Sequence, residues 1–427
     1  MPAQWHTPES WRPASPADAV PRAAWWTVLH DAALSDLQQR LLASNATLAG
    51  AAARYEQAKA LTGVALSARF PIVTAGASVS GQRESAETSA TFAIPVQASY
   101  EVDLFGKRLK NIELAKLSAE AQAADLENVR LVLTADLAAN YVTLRRVDVE
   151  IRIVQHTLEA LGKALSIVQS RHDHGIASGL DVAQEQVLIE STRTQAALLE
   201  QTRAGLEHAI AVLVGEPAQT FHVAPLDVDT LPDAPVVALA APTDVLERRP
   251  DVASAERAVA AANARVGLAR TAYFPSLTLI ASGGFKTDTL AKLFDVPSMV
   301  WAVGAALAQD VFTGGRREAE MKFEQAGYDA AVADYRGAVL RACQDVQDSI
   351  ASLDAINRAR LSQRAAVDAA ARALEIANNR YTGGLASALD VVTAQQSLLN
   401  AQRTLVGLDG NRLIETIGLV KALGGGW

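Results

Sequence analysis

The sequence predicts an internally duplicated α+β membrane protein in which long helical hairpins alternate with pairs of β-strands. Duplication is the first observation. The twelve residues R-H-D-H-G-I-A-S-G-L-D-V at 171–182 return as R-Y-T-G-G-L-A-S-A-L-D-V at 380–391, identical at seven positions and offset by 209 residues. Upstream, Gly63, Phe70 and Pro71 match Gly267, Phe274 and Pro275 at an offset of 204. Such offsets mark a repeated unit of about 200 residues, far longer than a solenoid repeat. Proline usage is the second. None occurs between Pro95 and Pro217 or after Pro297, and proline ends helices, so long helices are confined to these stretches. Strict period-two alternation in short segments between the helices is the third.

In chain order, residues 1–30 form an N-terminal arm whose Trp5, Trp11, Trp25 and Trp26 are expected to pack on the body. The first repeat spans 31–216, with a β-hairpin at about 71–105 and a long helical hairpin turning at about 172–181. Leu126, Val129, Leu133, Leu137, Tyr141 and Leu144 have helical spacing there. Lys107 to Arg171 as one continuous helix would reach about 98 Å, more than a compact domain needs. A proline-rich linker at 217–246 leads to the second repeat, 247–427, with a β-hairpin at about 275–312 and a helical turn at about 381–390. In E-R-R-P-D-V at 247–252, Pro250 suits a first helical turn and Asp251 its positive end, a helix-start signal.

The strands carry a membrane signature. Phe92, Ile94, Val96, Ala98, Tyr100, Val102 and Leu104 alternate with Ala93, Pro95, Gln97, Ser99, Glu101 and Asp103. Leu277, Leu279, Ala281 and Phe285 alternate with Ser276, Thr278 and Ser282, and Met299, Trp301, Val303 and Leu307 with small residues. A weaker segment has Val73, Ala75, Ala77 and Val79 on one side. Polar loops at 81–90 and 286–289 are expected to separate the members of each pair. Strands of about ten residues suit an outer-membrane barrel; a half-buried soluble sheet is the alternative. Four strands cannot close a barrel, and open edges in lipid leave backbone groups unsatisfied. A dimer would supply eight strands with a packed interior and a trimer twelve with room for a pore.

Composition excludes several classes. The net charge of −8 lacks the basic face that nucleic acid requires. No apolar run reaches transmembrane-helix length, and no signal peptide with an apolar core is present; Met1-Pro2 reads as a beginning from which the targeting segment has been removed. Cys343 is the single cysteine, expected in a small buried role in the helical pattern Val339, Cys343, Val346, Ile350. His172, Asp173 and His174 resemble a metal cluster, but alternate residues at a helix end diverge and the second repeat has Tyr381, Thr382 and Gly383. No catalytic, cofactor-binding or metal motif is found, and no enzyme activity is expected.

Several linked motifs then resemble one family. Y-E-V-D-L-F-G-K at 100–107, E-R-R-P-D-V at 247–252, F-T-G-G-R at 312–316, the repeated turn and K-A-L-G-G-G-W at 421–427 are similar to TolC-type outer-membrane efflux proteins of the OprM-like branch. The resemblance implies a homotrimer with a twelve-stranded barrel in outer-membrane lipid and a long periplasmic α-barrel. It also implies a periplasmic adaptor and an inner-membrane transporter of the RND type as partners. Such a protein is the exit duct of a tripartite pump; type I protein secretion uses the same architecture and is the alternative, and a soluble coiled-coil scaffold is the non-channel reading. OprM-like members usually begin with a lipidated Cys, so the anchor is expected to be absent or to have been removed with the signal peptide.

The candidate sites follow. Gly175 and Gly384 would end long helices within the turns, with Ser178 and Ser387 beside them as adaptor contacts. Asp181 and Asp390 begin the returning helices, where capping alone would explain them; threefold symmetry would instead gather them into acidic rings. Arg171 and Arg380 could pin neighbouring hairpins, with the apolar Leu180 and Leu389 as an alternative constriction. Where the family often has a further Asp one turn on, this chain has Thr393. Val96, Tyr100, Leu277, Leu279, Trp301 and Val303 are expected to face lipid, and Gln97, Ser276 and Ala302 the lumen.

Overall fold

The computed structural model describes residues 22–84, 87–226, 230–237 and 248–425. Trp5, Trp11, Glu247, much of 217–246 and the last two residues lie outside them. The chain separates into two compact units, each drawing segments from both sequence repeats.

One unit comprises 52–125 and 253–338 and holds the strands. Its strands are β1 (Ile72–Ala75), β2 (Ser78–Glu84), β3 (Glu87–Val102), β4 (Ser276–Thr287) and β5 (Met299–Ala308). All pairing is antiparallel, with β1 and β2 both on β3, then β4, then β5. The β3–β4 ladder joins the two repeats. The expected fourth strand is thus present in two pieces, and Pro95 explains the break. Ala75 pairs with Val96 and Ser78 with Ala93, so the register runs unshifted past Gly76 and Ala77. Gly76 N–H still donates to the Pro95 carbonyl at 3.0 Å, but Pro95 has no N–H to return. On its other side Gly284 lies so close that a Cβ there would sit 2.2 Å from the Ile94 carbonyl oxygen.

The polar stretch 81–90 is not the loop that its composition suggests. β2 continues to Glu84 and β3 starts at Glu87, with Gln82 opposite Ser89 and Arg83 opposite Thr88. Lys286 and Thr287 likewise belong to β4. Ladder bonds are made by backbone, so polarity alone does not stop a paired strand.

Each strand pair is braced by an arginine. Arg108, near the start of α3 (Lys107–Asp173), donates to the Ala68 carbonyl at the end of α2 (Ala46–Ser67). Arg317 of α6 (Arg316–Thr382) donates to the Ala272 carbonyl after α5 (Pro250–Thr271). The same bond is therefore built twice by duplication. Asp103 caps α3, accepting from the backbone N–H of Arg108 at 3.1 Å and Leu109 at 3.0 Å.

The other unit contains 22–51, 126–252 and 339–425 among the described residues. It holds α1 (Ala32–Ser44), α4 (Gly179–Leu213), α7 (Ala388–Ala422) and the turn-forming parts of α3 and α6. With 67 residues each, α3 and α6 run for about 100 Å. Leu34, Leu41, Leu137, Leu144, Ile210 and Leu413 form its main core. Trp25 and Trp26 pack into it edge to face, and Trp25 donates from Nε1 to Thr134 Oγ1 at 3.2 Å. The start of the linker is pinned by buried Asp148, which accepts from Leu226 N–H at 3.0 Å and Arg203 Nε at 2.7 Å.

Pro250 opens α5 as its spacing predicts. Arg249 before it is more than a helix-start residue. Buried to 7 % exposure, it donates to Asp251, to Asp345 and to the Ala422 carbonyl, joining the starts of α5, the middle of α6 and the end of α7. Cys343 is half-buried, not buried. The covered stripe of α6 is Ala342, Val346, Ile350 and Leu353, and Cys343 flanks it.

Candidate functional site

Both helical hairpins turn through the same device. α3 and α6 each end in a glycine with positive φ, 72° at Gly175 and 70° at Gly384. Gly175 N–H donates to the His172 carbonyl and Ile176 N–H to the Arg171 carbonyl, both at 2.8 Å. The second turn matches it, with Gly384 N–H to Tyr381 and Leu385 N–H to Arg380. This is a Schellman cap, and a side chain at either glycine would meet the left-handed penalty. Three residues on, the returning helix starts at Ser178 or Ser387. Asp181 Oδ2 accepts from Ser178 N at 2.8 Å and Oγ at 2.9 Å, and Ser178 Oγ accepts from Asp181 N–H. Asp390 Oδ2 accepts from Ser387 N and Oγ, both at 2.8 Å.

The aspartates are therefore helix caps. Capping does not discharge Asp390. The Ser387 hydroxyl and amide hold the Asp390 carboxyl below its ordinary range, with Arg380 adding to the effect. Asp390 is exposed, as are Leu180 at 65 % and Leu389 at 51 %. Thr393 turns its hydroxyl to the Leu389 carbonyl at 2.8 Å, so it spends its polarity on its own helix.

The two arginines behave differently. Arg171 crosses from the first turn to the second, donating to the Tyr381 carbonyl at 3.3 Å with its guanidinium 4.6 Å from the Tyr381 ring centroid. Arg380 donates to Leu385 of its own turn at 3.4 Å. One residue of the sequence-equivalent pair thus links the hairpins within the chain, while the other reinforces its own loop. The His172 and His174 rings turn to separate carbonyls, Ala177 at 3.0 Å and Ser170 at 2.7 Å. Among the described residues no group of three His, Cys, Asp or Glu is placed to hold a metal.

Sequence reasoning missed Tyr381 and Glu185. Tyr381 is where repeat two departs from His172, and burial together with Asp181 and Glu185 pushes its hydroxyl pKa up against the lowering effect of Arg171. Glu185 lies one turn after Asp181 in α4, only 1 % exposed, and burial raises its carboxyl. Its repeat counterpart is Ala394. Among the described residues Glu185 Oε2, Tyr381 OH and Gln395 Oε1 are buried without a bonding partner, and all three residues line one cavity of about 740 Å³ between the hairpins, with Ile153, Leu161, Val391 and Leu398. The available signal was a charge present in one repeat only, on the α4 face that buries Val182, Leu188 and Ile189.

The strands divide their side chains cleanly. Val96 pairs with Gly283 and Gly283 with Trp301; Tyr100 pairs with Leu279; Leu277 pairs with Val102 and Leu307; Ala281 pairs with Val303. Directly opposed residues share a face, so Val96, Tyr100, Leu277, Leu279, Trp301 and Val303 stand on one side. Phe92, Ile94, Phe285 and Met299 join them. Gln97, Ser99, Ser276, Thr278, Ser282 and Ala302 occupy the other, with Ile72, Ile280 and Val300 among its large apolar exceptions. On the apolar side Trp301 is 77 % and Val303 75 % exposed. A continuous exposed apolar sheet face is not stable in water.

The family model described as outer membrane efflux protein matches residues 37–216 and 241–425. The chain belongs to that family. Among its relatives, the pyoverdine export outer membrane protein OpmQ of Pseudomonas aeruginosa is 35 % identical over 98 % of this chain and 91 % of its own length. The toluene efflux pump outer membrane protein TtgF of Pseudomonas putida is 32 % identical over 97 % of this chain and 88 % of its own length. The solved outer membrane protein VceC of Vibrio cholerae superposes with a TM-score of 0.87 at 28 % identity, over 95 % of this chain and all of that one. Membership places this protein in the Gram-negative outer membrane, extending into the periplasm as an exit duct for efflux. The strands supply its barrel segment and the helical hairpins its α-barrel segment.

Proposed function

We propose that three copies of this chain close a twelve-stranded barrel and form a passive duct, shut at rest where the helical hairpins turn and opened on assembly with a periplasmic adaptor and an inner-membrane transporter of the RND type. The observation that carries the reading is the sheet itself. One face is apolar across the span from Phe92 to Val102, with polar Arg83, Thr88 and Thr287 at one end, and among the described residues both outer strands, β1–β2 and β5, have an unpaired edge. Edges in lipid must pair, and copies of the same chain supply complementary edges without a further partner. Small organic compounds are the proposed cargo, the class to which the toluene named for TtgF belongs.

At the turns, threefold symmetry would bring together the capping aspartates Asp181 and Asp390 and leave Arg380 beside the neighbouring hairpin. The Gly175–Ser178 and Gly384–Ser387 segments are the surfaces offered to the adaptor. Leu180 and Leu389 add apolar bulk to the same neck. Planar-bilayer recordings test the gate. Asp181→Ala and Asp390→Ala should conduct more, or prefer cations less, than wild type, and Arg171→Ala should also conduct more by releasing the link to Tyr381. Unchanged conductance and selectivity in all three would place the constriction elsewhere.

A further inference from the structure

The connection between β4 and β5, residues 288–298, is not a plain polar turn. It folds as two short 3₁₀ turns, Leu290–Lys292 and Val296–Ser298. Ser298 pins them together, donating from Oγ to the Lys292 carbonyl at 2.8 Å and from its N–H to the Asp295 carbonyl at 2.9 Å. Leu293 is buried, yet Leu290 is 61 %, Phe294 72 % and Val296 82 % exposed. An ordered segment that turns large apolar side chains outward is built for a solvent other than water.

Its direction identifies that solvent. The Phe294 ring meets Phe285 edge to face at 5.6 Å and 67°. Phe285 pairs with Ile94 and Met299, so it belongs to the apolar side of the sheet. The segment therefore folds onto that side and prolongs it past the ends of the strands. A second copy joining at the β5 edge would bond in the plane of the sheet, whereas the Phe294 ring stands over its face. We infer that residues 288–298 form a lipid-seated wedge in which Leu290, Phe294 and Val296 contact acyl chains of the outer membrane. The inference rests on the apolar strand face being the lipid-facing one. A wedge of this kind would fix how deep the barrel sits, since withdrawing it exposes three large apolar groups to water.

The test is lipid quenching in the full-length protein. In a Cys343→Ala background, a polarity-sensitive fluorophore is placed singly at Val296→Cys, Leu290→Cys, Val303→Cys and Ala302→Cys, and each protein is reconstituted in phosphatidylcholine vesicles with or without acyl-brominated lipid. Labels at 296 and 290 should lose at least half as much emission to brominated lipid as the label at 303, and lipid brominated near the headgroup should be the more effective quencher. The label at 302 should be spared. Red-shifted, unquenched emission at 296 with quenching retained at 303 would put the segment in water. Blue-shifted but unquenched emission would put it against another copy. Either result overturns the wedge while leaving the strand face intact. Equal quenching at 302 and 303, or none at 303, would overturn the strand-face reading and the wedge with it.

Discussion

Glu185 carries a cost that its neighbours do not relieve. Its carboxyl is buried with Oε2 unbonded among the described residues, in the same cavity as the Tyr381 hydroxyl, which also finds no partner there. Burial disfavours the charged form, so the folded pKa lies above the unfolded value of about 4.3. A carboxyl raised in this way contributes stability that is complete below the unfolded value and is lost as pH rises through the folded one. The packing of the two hairpins should therefore weaken as pH rises from the unfolded value through the raised folded one. Glu185→Gln keeps the shape and removes the charge. We expect it to raise the melting temperature at neutral pH and to flatten the pH dependence of melting; a variant that tracks wild type across this range would show that Glu185 ionises without cost. Asp390 has the opposite sign: its lowered pKa favours folding above the ordinary carboxylate range, and that contribution fades as pH falls through the folded value. At this scale legibility depended on repetition. Arg171, Asp181, Gly175 and Ser178 could be singled out because each has a twin 209 residues later. Glu185 and the Arg171–Tyr381 contact could not, because they exist where the repeats differ.

At the level of elements, the strands were legible through alternation and their limits were not. Period two marked β3, β4 and β5 and assigned the faces that the register reproduces, Val96 with Trp301 on one side and Gln97 with Ala302 on the other. The extension of β2 and β3 through polar residues to Glu84 and Glu87 had no hydropathy signal, because ladder bonds are blind to side chains. The interruption at Gly76 also depends on Pro95 of another strand, a pairing invisible before register is known. Arg substituted at Leu277, Val303 or Val96 should reduce folding into bilayers by about 2–4 kcal/mol at mid-depth. Arg at Ser276, Ala302 or Gln97 should be tolerated better; equal sensitivity of the two sides would argue against a membrane face. A glycine pair gives a sharper contrast. A Cβ at Gly284 would meet the Ile94 carbonyl oxygen at 2.2 Å, whereas at Gly283 the nearest atom is 3.9 Å away. Gly284→Val should therefore lower refolding yield into vesicles, with an overpacking cost of about 1–3 kcal/mol, while Gly283→Val stays close to wild type. Similar yields for the two would mean that β3 and β4 approach less closely there than described.

For the whole molecule, the sheet is incomplete in a single chain. Among the described residues no strand pairs with the outer edges of β1–β2 and β5, and the apolar face beside them requires lipid. Family membership places the protein in the outer membrane, where such edges have no water to satisfy them. From composition and strand count alone, eight or twelve strands remained open; the resemblance of the linked motifs favoured twelve. The functional object proposed is three chains sharing one barrel. Multi-angle light scattering of the detergent-solubilised protein, corrected for bound detergent, measures it directly. A shared trimeric barrel gives a single species at three times the 45.1 kDa chain mass. A stable species of one or two chains, retaining folded strands, would contradict it.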